Sequence, residues 1–318
     1  MSQKVFCIGE ALIDMICTDK GVSLSKGQNF LKKAGGAPAN VAAAIAALGG
    51  QVDMAAKIGD DPFGQHLIDL LNEMGVSTKW MIKDPQHFTT FAFVSLMLDG
   101  ERDFYFNRGA DGQLSESDLQ ALNLNDYSIF HFGSATGFLE GPLQKTYAQL
   151  LIRAKKNGAI ISFDPNYRHL LFANNIESFI EQCIPFIQES HFFKVSDEEA
   201  LLITGCQNVD AAVVALRKKS NAVFAITLGK EGTLLSVGTH SELIPSIAIT
   251  PVDATGAGDA FVGAVLYQLM HKKANEIETI SITEWKSIIT NANKAGARTC
   301  EYLGAMEAFK HLNNTIFN

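Results

Sequence analysis

From end to end, short β-type runs alternate with longer helical patterns, and this rhythm narrows the fold more than any other feature of the chain. Strands separated by helices call for crossover connections. They predict a mainly parallel sheet covered by helices, an α/β fold, rather than segregated all-α or all-β parts. Strands are predicted over residues 5–8, 52–58, 129–132, 159–163, 192–195 and 222–227. Helices are predicted over residues 39–48, 62–74, 143–156 and 210–219, several of them ending at a glycine suited to a C-cap. A chain of 318 residues holds one large domain or two ordinary ones, and either buries enough core to dispense with disulfide or metal staples.

One region breaks the rhythm. Residues 89–98 and 103–107 read as two strands joined at Asp99-Gly100, a dipeptide suited to a type I′ hairpin turn. Residues 12–33 are also strand-like and polar in patches. Together they predict a small sheet projecting from the main body, either an edge decoration or a lid that excludes water from a small substrate.

Composition excludes several classes. Hydrophobic residues at 47% and charged ones at 19% are the balance of a folded soluble protein, not a disordered chain. A net charge of -8 offers no basic stripe, so neither nucleic acid nor an anionic membrane is an expected partner. Cys7, Cys17, Cys183, Cys206 and Cys300 form no C-x-x-C pair, which points to reduced, mostly buried thiols rather than a zinc or redox site. The opening MSQKVFCIGEALIDMI is interrupted by Glu10 and Asp14 and lacks a small-residue cleavage pattern, and no stretch reaches the ~18 apolar residues of a membrane span. A cytoplasmic location is expected.

Chemistry concentrates in ITPVDATGAGDAFVGAVLYQLM (249–270), where an extended segment meets a small-residue turn and then an apolar helix. The N–H groups of Gly256, Ala257 and Gly258 at such a helix start suit an anion, aided by the helix dipole. Asp259, just inside the helix, is favoured as an ion and placed to take a proton from a bound hydroxyl. An anion cradle beside a base describes phosphoryl transfer. The same residues also suit a helix cap with close packing. A dinucleotide fingerprint fails because Phe261 occupies the third glycine's place, and there is no Walker A sequence. A second cluster, AGGAPANVAAAIAALGG (34–50), again runs from glycine into an alanine-rich helix. Gly35 and Gly36 permit a ligand to approach the backbone, and Asn40 offers an amide to hydroxyls; tight packing on the sheet is the alternative.

Taken together, GGAPAN and DATGAGDAF resemble the two signatures of the ribokinase-like (phosphofructokinase-B type) carbohydrate kinases, and the resemblance covers essentially the whole chain. It implies a three-layer αβα fold, with residues 1–11, 35–88 and 109–318 as a nucleotide- and sugar-binding core and residues 12–34 and 89–108 as a β-sheet lid. Asp14 in GEALIDMI falls where that family holds sugar hydroxyls. KIGDDPFG (57–64) and TTFAFV (89–94) look like its next strand-turn-helix and lid strand. FDPNYR (163–168) resembles the D-x-N-x-R element of fructokinases and 2-keto-3-deoxygluconate kinases. There Arg168 is a candidate for holding substrate oxygens or the phosphoryl group, or else a surface ion-pair partner.

KVSDEEALLITG (194–205) is similar to the family's N-x-x-E segment near magnesium and phosphates, with Lys194 and Glu199 on the nucleotide side and Ser196 where ribokinases carry Asn. ITLGKEGTLL (226–235) resembles the nucleotide-side turn, implying Thr227, Gly229 and Gly232 along the ATP. Asn293 lies on a helix that borders the adenine in that family, and Met306 departs from its frequent proline. The implied reaction transfers the ATP γ-phosphoryl group to a sugar hydroxyl, with Asp259 as base and Gly256 to Gly258 stabilising charge. Mg2+ is implied with the nucleotide and K+ near Asp253 and Thr255, while the phenylalanine-rich strands of the small sheet suggest a homodimer through the lid. GGAPANVA, DGERDFYF and the GAD of Gly109 to Asp111 look most like bacterial fructokinases, with Phe104 and Phe106 over the sugar or in the lid's own packing. The alternatives are 2-keto-3-deoxygluconate kinase, aminoimidazole riboside kinase and ribokinase. From other classes there remain an NAD(P)-dependent oxidoreductase, which the failed fingerprint disfavours, and a non-catalytic sugar-binding protein of the same fold.

Overall fold

A computed structural model describes residues 3–97 and 102–317. Among the described residues thirteen strands follow one another as β1 Lys4–Ile8, β2 Leu12–Cys17, β3 Phe30–Gly35, β4 Gln51–Gly59, β5 Ser77–Asp84, β6 Phe91–Leu96, β7 Arg102–Asn107, β8 Ile129–Phe132, β9 Ile160–Phe163, β10 Phe192–Ser196, β11 Val223–Thr227, β12 Thr233–Val237 and β13 His240–Ile244. Nine form one sheet in the order β13-β12-β11-β10-β9-β8-β1-β4-β5, and four form a second in the order β3-β2-β6-β7. In the large sheet every neighbour pair from β5 to β11 is parallel, while β12 and β13 close one edge as antiparallel strands. The expected α/β architecture is therefore present, with helices on both faces.

Both faces of the central strands are apolar because both are covered. One core gathers Val5, Ile129 and Ile160 with the helices Ala37–Ala47, Ala257–Leu269 and Ile282–Thr299. The other gathers Phe6, Phe130 and Phe163 with the helices Pro142–Lys156, Ile176–Glu189 and Val209–Lys219. Helices Ala37–Ala47 and Ala257–Leu269 lie unusually close: a Cβ on Gly263 would stand 2.8 Å from the Cβ of Ala44, inside normal contact. Small residues on both helices thus set the separation of their axes.

In the small sheet β2 pairs parallel with β6, and β3 and β7 flank them antiparallel. Residues directly opposite one another share a face. Lys33, Asp14, Ala92 and Phe106 therefore line one face, with Val94 and Phe104 one step along. The other face docks on the main body, where Met15 and Phe91 pack against the first core and Phe63 meets Phe91 edge-on at 4.9 Å.

Boundaries move where polar chemistry competes with the apolar pattern. The helix expected from residue 39 begins at Ala37, because Pro38 suits a first helical turn and Gly36 turns the chain at φ 104. The strand expected from residue 89 begins at Phe91, since Thr89 and Thr90 hydrogen-bond Asp61 and Asp111 instead. The Asp99-Gly100 turn lies outside the described residues. Among the described residues no single helix is long and apolar enough to cross a membrane.

Candidate active site

The parallel strands all end at one edge of the sheet, and the segments leaving that edge carry the candidate residues, as expected of an open α/β sheet. At the head of helix Ala257–Leu269, Gly256 adopts φ 82, and a Cβ there would overlap Ala305. Only glycine fits. No side chain caps this helix. Of the three amides expected to face an anion, that of Ala257 is engaged within the turn, donating to the Ala254 carbonyl at 3.2 Å.

Asp259 is half-buried one turn inside this end. Its Oδ2 accepts the Asn40 Nδ2 at 2.8 Å. Loss of water raises its carboxyl above the ordinary value, opposed by the Asn40 hydrogen bond and by the charges of Arg168 and Lys194. The Ala44–Gly263 approach explains the contact, because Asn40 and Asp259 each lie four residues, one helical turn, before that crossing point. The buried Oδ1 of Asn40 has no hydrogen-bond partner among the described residues. It is an acceptor held ready for a donor such as a ligand hydroxyl.

Asp14 comes from the small sheet. A Cβ on Gly35 would overlap its carboxylate, so the first glycine of GGAPAN makes room for an acid, not only for a ligand. Burial pushes the Asp14 carboxyl up to about 6, with Glu10 adding to the rise and Arg168 opposing it. Arg168 is exposed, and its charge opposes the rise of both the Asp14 and the Asp259 carboxyl. The backbone before it is held at Asn166, with φ 48, by the Asn166 amide bonding to the Gly133 carbonyl. Phe104 and Phe106 stack on each other with ring centres 6.3 Å apart, on the same sheet face as Asp14.

On the opposite side, Lys194 is buried beneath the glycine turn, its Nζ 3.5 Å from where a Cβ of Gly258 would stand. It pairs with Asp164 at 3.2 Å and lies 4.0 Å from Glu199. Burial disfavours its charge, but Asp164 and Glu199 outweigh that, and its pKa is raised. Asp164 is itself raised, chiefly by burial and against the pull of Lys194. Ser196 and Glu199 form a capping box, and Glu199 also accepts the Tyr167 amide at 2.8 Å. The serine found where ribokinases carry Asn is thus a helix cap.

Four positions expected on the nucleotide side are engaged in different ways. Gly229, at φ 56, has open space around it. Gly232 is buried, and a Cβ there would overlap the Ile244 carbonyl. Asn293 accepts from the Thr233 hydroxyl at 2.6 Å and donates to the Ile244 and Pro245 carbonyls. Its amide therefore holds the β12-β13 hairpin onto the helix instead of facing outward. Thr227 donates to the Val195 carbonyl at 3.4 Å. Asp253 Oδ1 accepts the amide and hydroxyl of Thr255, while Oδ2 accepts the Gly304 amide.

Comparison with known proteins decides the family, since the description "pfkB family carbohydrate kinase" matches residues 2–311. The chain belongs to the pfkB carbohydrate kinases. It is 35% identical to fructokinase-1 of Oryza sativa subsp. japonica over 96% of this chain and 94% of that protein. It is 36% identical to fructokinase-1 of Zea mays over 95% and 93%. A fructokinase from Xylella fastidiosa solved with bound ATP superposes with a TM-score of 0.87 at 28% identity, covering 100% of this chain and 97% of that one. A double mutant of the fructokinase from Vibrio cholerae O395, solved with fructose, ADP and potassium ion bound, gives 0.81 at 28% identity, covering 100% and 97%.

A pfkB kinase moves a phosphoryl group to a sugar hydroxyl, and the geometry offers groups suited to each end of that step. Two buried acids next to the candidates went unassigned in the sequence. Asp164 belongs to the D-x-N-x-R element, where the arginine drew attention. Glu10 registered only as an interruption of an apolar run. Its signal is a carboxylate immediately after a core strand, where an uncompensated charge is costly.

Proposed function

We propose that the chain is an ATP-dependent fructokinase in which Asp259 is the catalytic base. The observation that carries this reading is the 2.8 Å hydrogen bond between Asn40 and Asp259, which joins the GGAPAN segment to the GAGD turn. Asp14, Asn40 and Arg168 surround the sugar, and Phe104 and Phe106 cover it as part of a four-stranded lid. Gly35 and Gly36 bring the backbone close. Lys194, Gly256, Gly258 and Thr227 lie along the nucleotide phosphates, Gly229 offers an open backbone there, and Gly232 and Asn293 shape that end from behind. Glu199 orders the segment that carries them.

In the reaction, the sugar hydroxyl passes its proton to an Asp259 oxygen as its own oxygen bonds to the γ-phosphorus and the bond to ADP breaks. A carboxyl raised above its ordinary value is a better proton acceptor, once ionised, than a free aspartate. Arg168 and Lys194 balance charge that builds on the transferring oxygens. Mg2+, when bound, neutralises phosphate charge. Asp164 and Glu199 are the nearby acids that would reach it through water. Asp253 and Thr255 turn the loop that would hold a K+ ion. The exposed apolar residues Ile16, Leu31, Leu96 and Tyr105 on the small sheet favour a homodimer, which light scattering tests. Five free thiols suit the cytoplasm.

The deciding experiment is a coupled ADP-release assay over fructose, ribose, 2-keto-3-deoxygluconate and aminoimidazole riboside. Fructose is expected to give the highest kcat/KM. Another sugar in first place moves the assignment within the family, and turnover with none defeats the catalytic reading in favour of a sugar-binding protein.

A further inference from the structure

Helix Ala37–Ala47 carries Asn40, and apart from Pro38, which removes one N–H, its own sequence supplies no group to cap its N-terminus. The N-cap is Gly36, without a side chain, and the first turn holds no acid. A helix end that begins inside the protein leaves N–H groups needing acceptors.

The missing acceptor arrives from 27 residues upstream. Glu10, 1% exposed at the end of β1, accepts the Ala37 N–H on Oε1 at 3.2 Å. The same oxygen accepts the Ala135 N–H at 3.3 Å. Oε2 accepts the hydroxyls of Ser134 and, at 3.3 Å, Thr136. Four donors from two segments thus close on one carboxylate. Its main chain is equally confined, since a Cβ on Gly36 would overlap the Glu10 carbonyl. An anion at a helix N-terminus is favoured by the helix dipole, and these donors offset part of the cost of burying it, which still holds the Glu10 carboxyl above its ordinary value. From this cap the geometry runs directly to the reacting centre. The Asn40 N–H makes the opening helical bond to the Gly36 carbonyl at 2.9 Å, and its side chain holds Asp259 at 2.8 Å.

We infer that Glu10 is a positioning residue for catalysis: as a carboxylate cap supplied from outside the helix, it fixes the first turn and so aims the Asn40 amide at Asp259. It touches neither Asp259 nor the phosphate end. Its effect on turnover passes through Asn40. The inference rests on Asp259 being the base, and the two are separable: Asp259→Ala with unchanged turnover defeats the base assignment, whereas the experiment below addresses Glu10 alone.

The test is a double-mutant cycle on kcat at saturating sugar and ATP, using wild type, Glu10→Ala, Asn40→Ala and the double variant, each checked for folding by its melting curve. Glu10→Ala is expected to lower kcat about 10-fold in the wild-type background and less than about 2-fold in the Asn40→Ala background, the non-additivity of residues acting as one unit. The KM for ATP should stay unchanged. Glu10→Gln, whose amide oxygen still accepts both N–H groups while the two hydroxyls turn to accept from its NH2, should recover most of the lost kcat. Equal losses in both backgrounds overturn the proposal, as does a Glu10→Gln variant no better than Glu10→Ala. If Glu10→Ala does not accumulate as folded protein, the same cycle with Glu10→Asp, which withdraws the carboxylate by one methylene, decides by the same criterion.

Discussion

Asn40 and Asp259 stand 219 residues apart in the chain and 2.8 Å apart in the fold. The hydrogen bond closes because Gly263 lets the Asp259 helix approach Ala44 of the Asn40 helix. One amide thereby serves two ends, with Nδ2 on Asp259 and a buried Oδ1 that has no hydrogen-bond partner among the described residues.

Removing the base is the plainest consequence. Asp259→Ala should lower kcat by at least ~10²-fold, the low end of general-base effects. Its melting temperature and its KM for ATP should stay close to those of the parent. The coupled ADP-release assay measures both kinetic constants.

Asn40→Asp places a second carboxylate against Asp259. Like charges at this distance raise the apparent pKa of the pair. The ionised base then forms only at higher pH, so the acid limb of the kcat profile should move upward. An unmoved limb with reduced kcat would mean that the pair does not share charge.

Gly263→Ala adds one methyl where the space is already closed. Overpacking of this kind costs about 1–3 kcal/mol and shifts backbone. The variant should melt lower and lose kcat disproportionately, since spreading the helices lengthens the Asn40–Asp259 bond. Loss of stability with kcat intact would separate packing from catalysis.

Sugar affinity should carry its own pH dependence. The Asp14 carboxyl, raised to about 6, is ionised above that pH and becomes protonated below it. The KM for sugar is expected to climb as pH falls through about 6 while the KM for ATP does not, and Asp14→Asn should flatten that rise.

Lys194→Met leaves Asp164 and Glu199 without their cation. Breaking a buried pair costs roughly 3–5 kcal/mol when the remaining charge is uncompensated. In the variant the folded-state pKa of Asp164 lies above its unfolded value. The deficit is therefore complete at high pH and disappears as pH falls through that pKa. Melting curves across pH should show the two proteins converging in acid.

The sequence made the alternation of strands and helices legible because both faces of the parallel strands are buried and the covering helices end at glycines. The two small-residue turns were visible for the same local reasons. Their meeting was not, since it depends on a helix crossing set by Ala44 and Gly263, which share no segment. Glu10 and Asp164 were hidden by context: each is an acid after a strand, and only the fold reveals the donors and the lysine around them. Asn293 shows the converse, a position implied by resemblance whose amide is engaged by Thr233 and the hairpin carbonyls.

The small sheet adds a mechanical consequence. Its chain crosses to the main body four times, after β1, after β3, before β6 and after β7. A plate standing on four legs has less freedom to swing than one hung on a single hinge. Two of those legs are tight turns at Gly36 and Gly109, where an added Cβ would overlap backbone. On the proposed reading, with sugar held beneath the plate, grip on the sugar and stiffness at the feet become one property.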